Sequence, residues 1–342
     1  MELIAKQIES KEVWERFMVQ IKPNTFLHSW NWGEFQSSLG NATCRLAVFQ
    51  GENLTALAFF YEITARRGIF WLCPHGPIFK SNADKQVALK ILLDFLRKEI
   101  IKNQRCDFIR ICPLLGADSD NEKIFSELGF KASPLYTHPE LSWLLDVDLD
   151  KEKLLSAMRK GTRYSIKKAT QDGVSVEQSS SRADLEKFRQ IYQSTSQRQK
   201  FAPFSKNYLD KEWTAFQKDN QCLLFFGYYQ GKIISAAFIV FSQRSAFYHH
   251  GASLPEFAKI PSAHLVLWEA ILEAKNRGCK FFNFWGISPD NQPAHPWFGL
   301  SFFKKGFGGF SEQYVASQDL ILSWRYWLNF VVEKWRKKKR GM

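Results

Sequence analysis

Apolar and polar residues alternate in two separate parts of the chain, and the first part can be divided into a defined order of elements. Residues 44–62 predict two strands around a turn at Gly51, and residues 68–77 add a third strand. A helical segment, roughly residues 84–102, then leads to a strand at residues 106–112. The first part therefore reads strand, turn, strand, strand, helix, strand.

The second part repeats this order. Residues 222–241 predict a hairpin around Gly231, and residues 245–252 give the third strand. A helix from about residue 263 to 277 then leads to a strand at residues 279–286. The duplication predicts two tandem copies of one mixed α+β domain rather than a single large sheet.

The segment between the two copies sets the domain boundary. Residues 150–178 are rich in basic side chains on predicted helices, and a further helix over residues 182–201 opens the second copy. We therefore expect an N-terminal domain at residues 1–149. We expect a C-terminal domain at residues 150–342, which includes a basic amphipathic helix near residue 330.

Charge points to anionic partners. The chain has 342 residues, and its 47 Lys and Arg outnumber its 34 Asp and Glu, for a net charge of +13. A surplus of this size favours nucleic acid, polyphosphate or acidic lipid as partners. The first residues carry frequent charges and lack the apolar core of a signal peptide, so we expect a cytoplasmic protein.

The pattern of metal-ligating residues predicts no metal site. The six cysteines are scattered, and no CxxC pair occurs. His249 and His250 are adjacent, so on a regular strand they would face opposite sides and could not easily share an ion.

Residues 320–342 combine aromatic and aliphatic side chains with a final cationic cluster. Arg325 interrupts the apolar run, which is shorter than the roughly 20 residues needed to span a bilayer. One alternative is an interfacial helix that contacts acidic lipid at the inner face of the plasma membrane. The other is a docked helix with a solvated basic end.

Residues 301–310, with the sequence SFFKKGFGGF, combine three glycines, two lysines and four phenylalanines. Glycine allows backbone N–H groups to turn toward an anion, lysine supplies charge, and phenylalanine supplies a face for base stacking. The alternative is a glycine-rich turn that closes the edge of an aromatic core.

Several segments together resemble the FemABX family of peptidoglycan bridge-forming aminoacyltransferases. The resemblance implies two GNAT-like domains and transfer of an amino acid from aminoacyl-tRNA to the stem peptide of a cell-wall precursor, without a metal or redox cofactor. Residues 206–226 run directly from helix to strand, so the chain is similar to compact members that lack a helical-arm insertion. The segments that carry the resemblance are residues 26–40, 158–169, 194–201, 247–253, 265–278, 281–287 and 293–309.

The resemblance also implies roles for particular residues. Lys304 would meet a phosphate or the developing oxyanion as the catalytic residue, and Phe303 would stack on the terminal adenine of the tRNA. Arg198 would contact the diphosphate of the precursor, and Tyr248 its stem peptide. The alternatives are a solvated surface lysine for Lys304, a helix-capping arginine for Arg198 and a core tyrosine for Tyr248.

The chain departs from the family pattern at two precursor-binding positions. Gln36 stands near the position where some relatives have a phosphate-binding lysine, and Lys80 stands where some have an aspartate. No histidine or carboxylate is marked as a general base, since Asp290, the nearest candidate, also reads as a turn residue. These departures leave the form of the precursor, lipid-linked or UDP-linked, open.

Two other functions fit parts of the pattern. One is a GNAT-type enzyme with an acyl-CoA donor, against which the segment between residues 249 and 270 lacks the usual pyrophosphate-binding loop. The other is a non-catalytic protein that binds RNA or membrane through basic and aromatic residues. For the transferase we expect a monomer that uses aminoacyl-tRNA as donor and a peptidoglycan precursor as acceptor.

Overall fold

The computed structural model describes residues 2–22, 25–65, 68–102, 104–199 and 201–339. Its strands are β1 (Leu3–Gln7), β2 (Thr43–Gln50), β3 (Asn53–Ala65), β4 (Gly68–Cys73), β5 (Ile78–Phe79), β6 (Phe108–Ile111), β7 (Lys131–Ala132), β8 (Leu141–Asp146), β9 (Ser175–Ser179), β10 (Cys222–Tyr229), β11 (Lys232–Ser242), β12 (Ser245–Ser253), β13 (Phe281–Gly286), β14 (Phe310–Gln313) and β15 (Gln318–Ile321). Its α-helices are α1 (Lys11–Met18), α2 (Trp30–Ser38), α3 (Lys85–Phe95), α4 (Ser119–Glu127), α5 (Lys151–Ala157), α6 (Lys160–Gln171), α7 (Leu185–Gln199), α8 (Lys206–Gln217), α9 (Ser262–Asn276), α10 (Phe298–Lys305) and α11 (Tyr326–Lys339).

Local sequence explains where several of these elements begin and turn. Asp84 and Ser205 accept hydrogen bonds from backbone N–H groups in the first turns of α3 and α8, which caps both helices. Gly51 and Gly231 adopt positive φ values of 61° and 74° at the two hairpin turns. The predicted hairpins therefore form where the glycines were expected to place them.

One compact unit contains the residues up to Leu141, Ser288–Phe298 and the residues from Glu312 onward. Its described sheet has the order β1-β2-β3-β4-β6-β15-β7, with β5 paired to β3. Strands β4 and β6 run parallel, and α3 lies between them in sequence. A buried apolar core covers one side of this sheet with residues of α3, including Leu89 and Leu92.

The other compact unit contains Ser142–Ile287 and Gly299–Ser311. Its described sheet has the order β14-β8-β13-β12-β11-β10-β9. Strands β12 and β13 run parallel, and α9 lies between them in sequence and packs on the core. Both units therefore contain a hairpin, a third strand, a helix and a parallel strand, in the order that the sequence repeat predicts.

Each unit completes its sheet with a strand that lies outside its own repeat. In the first unit β15 pairs antiparallel with β6, and in the second unit β8 pairs antiparallel with β13. Without these strands, β6 and β13 would leave a row of backbone donors and acceptors unpaired at a sheet edge. The domain boundaries of the sequence analysis change accordingly, because the second unit begins at Ser142 and residues from Glu312 onward belong to the first unit.

The last helix, α11, joins the first unit through a buried ionic network. The Arg110 guanidinium on β6 donates to the Asp319 carboxylate at 2.7 Å and to the Glu333 carboxylate at 2.8 Å. The Tyr326 hydroxyl donates to Asp319 at 3.1 Å. Arg110 and Asp319 are buried, so each charge depends on the other for compensation. This network explains why α11 belongs to the first unit instead of the second.

We expect Arg110→Ala to lower the free energy of unfolding of the first unit by about 3–5 kcal/mol, because it leaves the buried Asp319 carboxylate without its main partner. Urea denaturation and limited proteolysis at α11 measure the effect. Lys123→Ala is the control, because Lys123 and Asp120 form an exposed pair expected to contribute less than about 1 kcal/mol. Equal losses for both variants would contradict this role for the network.

Candidate functional site

In the second unit, the parallel strands β12 and β13 pair only over their first three residues. Their register runs from Ser245 opposite Phe281 to Phe247 opposite Asn283. Beyond this point β13 is irregular, since Trp285 has a φ of 69° and its N–H donates to the Asn283 side chain at 2.7 Å. A positive φ at a bulky residue is strained and is commonly found at functional sites. The kink therefore marks this end of β13 as a candidate site.

Lys304 occupies this candidate site from the last turn of α10. Its side chain is only 5% exposed, and its Nζ donates to the carbonyl oxygen of Gly286 at 2.6 Å. In the described part of the chain Lys304 forms no ion pair with a carboxylate. Desolvation lowers its pKa to about 7 from the ordinary 10.5. The burial contradicts the alternative of a solvated surface lysine.

A lysine with a pKa near neutrality can act in two ways. As an ammonium it stabilises negative charge in a site that excludes water, where electrostatic interactions are strong. As an amine it can accept a proton. The absence of a carboxylate partner within the described residues keeps this charge available for an anionic substrate.

The glycines that follow Lys304 pack closely against other residues of their own unit. A Cβ at Gly306 would lie 2.3 Å from the Thr162 hydroxyl, and one at Gly309 would lie 2.1 Å from the Leu144 carbonyl oxygen. Gly308 and Gly309 also have positive φ values of 82° and 102°. Phe307 is fully buried beside them. The glycines thus match the alternative of a turn that closes an aromatic core, and the turn fixes the position of Lys304.

The two phenylalanines before Lys304 have different environments. Phe303 is half-buried, with its ring edge-to-face against His264 at 4.8 Å and against Phe307 at 5.5 Å. Phe302 is 64% exposed, and the Arg159 guanidinium lies 3.7 Å from its ring centre. Arg159 also donates to the Phe302 carbonyl. Phe302, for which the sequence predicted no role, is therefore the more exposed of the two rings.

Helix α6 begins at this point and carries an exposed basic surface. Lys160, Tyr164 and Lys167 are exposed, whereas Arg163 donates to the Ser156 carbonyl at the end of α5. The backbone N–H of Arg159 donates to the Gly306 carbonyl at 2.9 Å, which joins the start of α6 to the glycine-rich turn. Exposed cations and aromatic rings together are the usual elements of a nucleic-acid surface.

The other two candidates of the second unit are attached to β12. Arg198 is exposed in the last turn of α7, and its guanidinium donates to the Ser253 hydroxyl at 3.1 Å. The Tyr248 ring packs against the core, with its hydroxyl in the space that a Cβ at Gly251 would fill. Burial raises the pKa of Tyr248. Arg198 is thus accessible to an anion, and Tyr248 has the contacts of a core tyrosine.

Gln36 and Asp290 lie in the first unit and have structural environments. Gln36 is buried in α2, and its side-chain oxygen accepts a hydrogen bond from the Asn41 amide at 2.8 Å. Asp290 is exposed in a turn, as its simpler interpretation predicts. The structure thus places Lys304 (α10), Arg198 (α7) and Tyr248 (β12) in one unit, and Gln36 in the other unit.

His249 and His250 face the same carboxylate, contrary to the expectation that they would point to opposite sides. Tyr248 pairs with Ile239 and His250 with Phe238, so His249 is the extra residue of a β-bulge. The bulge turns both imidazoles to Glu212 of α8, with Nε2 to carboxylate distances of 2.7 Å and 3.2 Å. Sequence reasoning missed this cluster because a bulge breaks the two-residue period of a strand.

The cluster of Glu212, His249 and His250 has the donor types that bind zinc. One ligand atom from each residue lies within 4.8 Å of the others. The same atoms already hydrogen bond to one another, and although burial acts to raise the pKa of Glu212, the two histidines hold it at about 2. Burial lowers the pKa of His250 to about 4. The arrangement is therefore a satisfied buried carboxylate that could also hold a divalent cation.

Comparisons with known proteins agree with this architecture. A model of the FemAB family matches residues 9–230 and 227–334. The lipid II:glycine glycyltransferase of Staphylococcus aureus strain MRSA252 is 20% identical over 89% of this chain and 90% of that protein. Among solved structures, FemX has a TM-score of 0.83 at 19% identity and covers 97% of this chain and 100% of its own.

A tandem GNAT protein from the clavulanic acid biosynthesis pathway has a TM-score of 0.53 at 11% identity and covers 94% of this chain and 98% of its own. These structural likenesses concern the fold. The prediction of a mixed α+β protein with two tandem GNAT-like domains is therefore confirmed.

We expect Lys304→Met to raise the free energy of unfolding near neutral pH, because it removes a buried ammonium. Between about pH 7 and pH 10.5 unfolding takes up a proton at Lys304, so the stability of the native protein rises with pH in this window. The advantage of the variant should therefore shrink from about pH 6 to about pH 10. Urea denaturation at both pH values measures the difference.

Lys305→Met is the control, because it removes the neighbouring, partly exposed ammonium from the same helix. A stability difference between native protein and Lys304→Met that stays constant with pH would contradict the lowered pKa of Lys304.

Proposed function

The chain belongs to the FemAB family, and we propose that it transfers an amino acid from aminoacyl-tRNA to the stem peptide of lipid II. It is an aminoacyltransferase of peptidoglycan bridge formation. The proposal adds the donor, the role of each side chain and the place of action. Its central support is the buried Lys304, which has no carboxylate partner within the described residues.

Aminoacyl transfer replaces an ester by an amide. The acceptor amine attacks the ester carbonyl carbon, a tetrahedral oxyanion forms, and the bond to the ribose oxygen then breaks. One proton passes from the amine to the ribose oxygen, so the reaction is balanced without an oxidant or reductant. Lys304 supports this reaction as an ammonium that stabilises the oxyanion.

The lowered pKa of Lys304 fits this role. At about 7 it keeps a substantial fraction of the side chain protonated at neutral pH. The phosphates of a bound tRNA end would favour the ammonium further, because an opposite charge nearby raises the pKa of an amine. The hydrogen bond to the Gly286 carbonyl holds Nζ in one direction. Catalysis then depends on a charge that is fixed in place before substrate binds.

The donor would bind on the exposed surface of α6 and α10. Lys160 and Lys167 offer charge to phosphates, and Tyr164 and Phe302 offer faces on which unpaired bases stack. Phe303 remains a candidate for the terminal adenine, although part of its ring is occupied by His264 and Phe307. This surface adjoins Lys304 through the glycine-rich turn.

The acceptor diphosphate would meet Arg198, whose guanidinium is exposed and suited to bidentate phosphate contacts. Tyr248 could reach the stem peptide only if its ring leaves the core packing described above. Gln36 contributes less to the proposal, since its amide is engaged by Asn41. The acceptor site of the proposal therefore rests on Arg198.

An acyl-CoA donor has less support. In GNAT enzymes pyrophosphate binds to backbone N–H groups ahead of the helix that follows the third strand. Here that segment contains Pro255 and Pro261, which lack an N–H, and the Ser262 hydroxyl is held by Ser235 at 2.5 Å. A non-catalytic binding protein would show salt-sensitive tRNA binding without product, so product analysis separates it from the transferase.

The proposal includes a cytoplasmic monomer at the inner face of the plasma membrane, where aminoacyl-tRNA and lipid II are both accessible. Within the described residues, no helix has the length and apolar character to cross a bilayer. Mass spectrometry of products from a panel of charged tRNAs with lipid-linked and UDP-linked precursors would identify donor and acceptor. No product with any combination would contradict the proposed function.

We expect Lys304→Met to lower the rate of transfer by about 10²–10³-fold, because it removes the charge that faces the oxyanion. The measurement is single-turnover transfer from radiolabelled aminoacyl-tRNA, with tRNA binding measured separately. Lys305→Met serves as the matched control and should retain most of the rate. Full activity of a folded Lys304→Met protein would refute a catalytic role.

The pH dependence of kcat/KM distinguishes the two forms of Lys304. An ammonium role predicts an alkaline limb near pH 7, since the charge is lost as pH rises through the pKa of about 7. In Lys304→Arg the charge does not titrate, and we expect this limb to disappear. A limb that persists in Lys304→Arg would assign it to another group.

We expect the double variant Lys160→Ala/Lys167→Ala to bind tRNA more weakly. The negative slope of log K against log salt should become shallower by about 0.7–0.9 for each lysine that contacts a phosphate. Filter binding over a salt series measures this slope. The control is Lys187→Ala/Lys206→Ala, which removes two lysines paired with Asp184 and Glu186. The same slope in both double variants would exclude this surface of α6 as a tRNA-binding surface.

A further inference from the structure

Helix α11 is attached to the first unit by its polar side. Asn329 and Tyr326 are buried, and the Asn329 amide donates to the Glu333 carboxylate at 2.9 Å. Glu333 in turn accepts from Arg110 at 2.8 Å. A surface helix normally turns its apolar stripe to the core and its polar residues to water. In α11 the side that faces the unit is held by hydrogen bonds and ion pairs.

The opposite side of α11 is apolar and exposed. Trp327, Leu328, Val331 and Trp335 follow the spacing i, i+1, i+4, i+8, which places them on one helical face. Trp324 precedes the helix one turn earlier. All five side chains are between 45% and 70% exposed. We call these five residues the outer face of α11. A contiguous exposed apolar face of this kind marks an interaction surface.

Cations surround the outer face. The described part of α11 contains Lys334, Arg336, Lys337, Lys338 and Lys339, and its single acidic residue, Glu333, is engaged by Arg110. The Lys131 ammonium lies 5.3 Å from the ring centre of Trp327, and that of Lys339 lies 5.2 Å from Trp335. Tryptophan next to lysine and arginine is the composition of segments that lie at the membrane–water interface.

We propose that the outer face of α11 docks on the surface of an anionic lipid bilayer, with the tryptophans at the level of the headgroups and the cations against acidic lipid. Only the biological purpose of this docking, access to a lipid-linked acceptor, rests on the proposed function. The binding itself follows from exposed apolar residues and charge.

Charge complementarity selects a lipid surface over a second copy of the chain. A symmetric dimer through this face would bring the same cations of two α11 helices together, and like charges oppose such contact. An anionic bilayer supplies the opposite charge and a deformable apolar layer. The length of α11, 14 residues, suits a helix that lies on a bilayer instead of crossing it.

The test is co-sedimentation of the full chain with vesicles of phosphatidylcholine and phosphatidylglycerol, compared with vesicles of phosphatidylcholine alone. We expect preferential binding to the anionic vesicles, reduced by salt. The triple variant Leu328→Ser/Val331→Ser/Trp335→Ser should lower the partition coefficient by roughly tenfold or more. The matched control Val13→Ser/Val19→Ser/Val87→Ser alters three residues of the same unit that are 39–49% exposed, and should bind like the native chain.

A second variant keeps the proposal testable if the apolar substitutions disturb folding. Lys334→Glu/Lys338→Glu retains the outer face and should lose the preference for anionic vesicles. Circular dichroism and the urea midpoint establish that each variant is folded. Equal vesicle binding by native chain and both variants would overturn the proposal. A dimer in light scattering that the triple variant abolishes, without native vesicle binding, would also overturn it in favour of self-association.

Transfer to a water-soluble precursor analogue separates this inference from the proposed function. A triple variant that transfers normally to the analogue but binds vesicles weakly supports the docking surface. If the native chain binds anionic vesicles through α11 and transfers to no precursor, the proposed function fails and the docking surface stands. If it transfers to the analogue and ignores vesicles, the docking surface fails and the function stands.

Discussion

The burial of one lysine without a carboxylate partner in the described part of the chain is the constraint on which the candidate site depends. Lys304 is 5% exposed, and its ammonium has the Gly286 carbonyl as its hydrogen-bond acceptor. Desolvation lowers its pKa to about 7, so its burial opposes folding at neutral pH. A protein retains such a group where its charge is used, because a solvated lysine on the same helix would cost nothing.

The surrounding structure holds this unfavourable group in place. The Trp285 kink precedes the acceptor carbonyl on β13, and the glycines after Lys304 allow the chain to pack against Leu144 and Thr162. The close packing of the glycines therefore fixes the position of the lysine. The exposed residues Lys160 and Phe302 lie on the helices joined to this turn.

In the first unit, the pairing of β15 determines where α11 lies. Because β15 completes the sheet beside β6, the segment that follows β15 begins in the first unit. The Arg110 network then fixes α11 by its polar side and leaves the outer face exposed. A helix packed by its apolar stripe would have hidden the tryptophans. Attachment through buried charge thus leaves the apolar outer face of α11 exposed.

The sequence by itself determined the repeated order of elements, because strand alternation, glycine turns and helical periodicity are local properties. The family resemblance of the sequence also pointed to Lys304 and Arg198. Burial of Lys304, the larger exposure of Phe302 than of Phe303, and the engagement of Gln36 by Asn41 arise only when distant segments pack. The bulge at His249 and the transfer of β8 and β15 between sheets were likewise decided by tertiary pairing, since register and strand partners depend on backbone hydrogen bonds that no local pattern encodes.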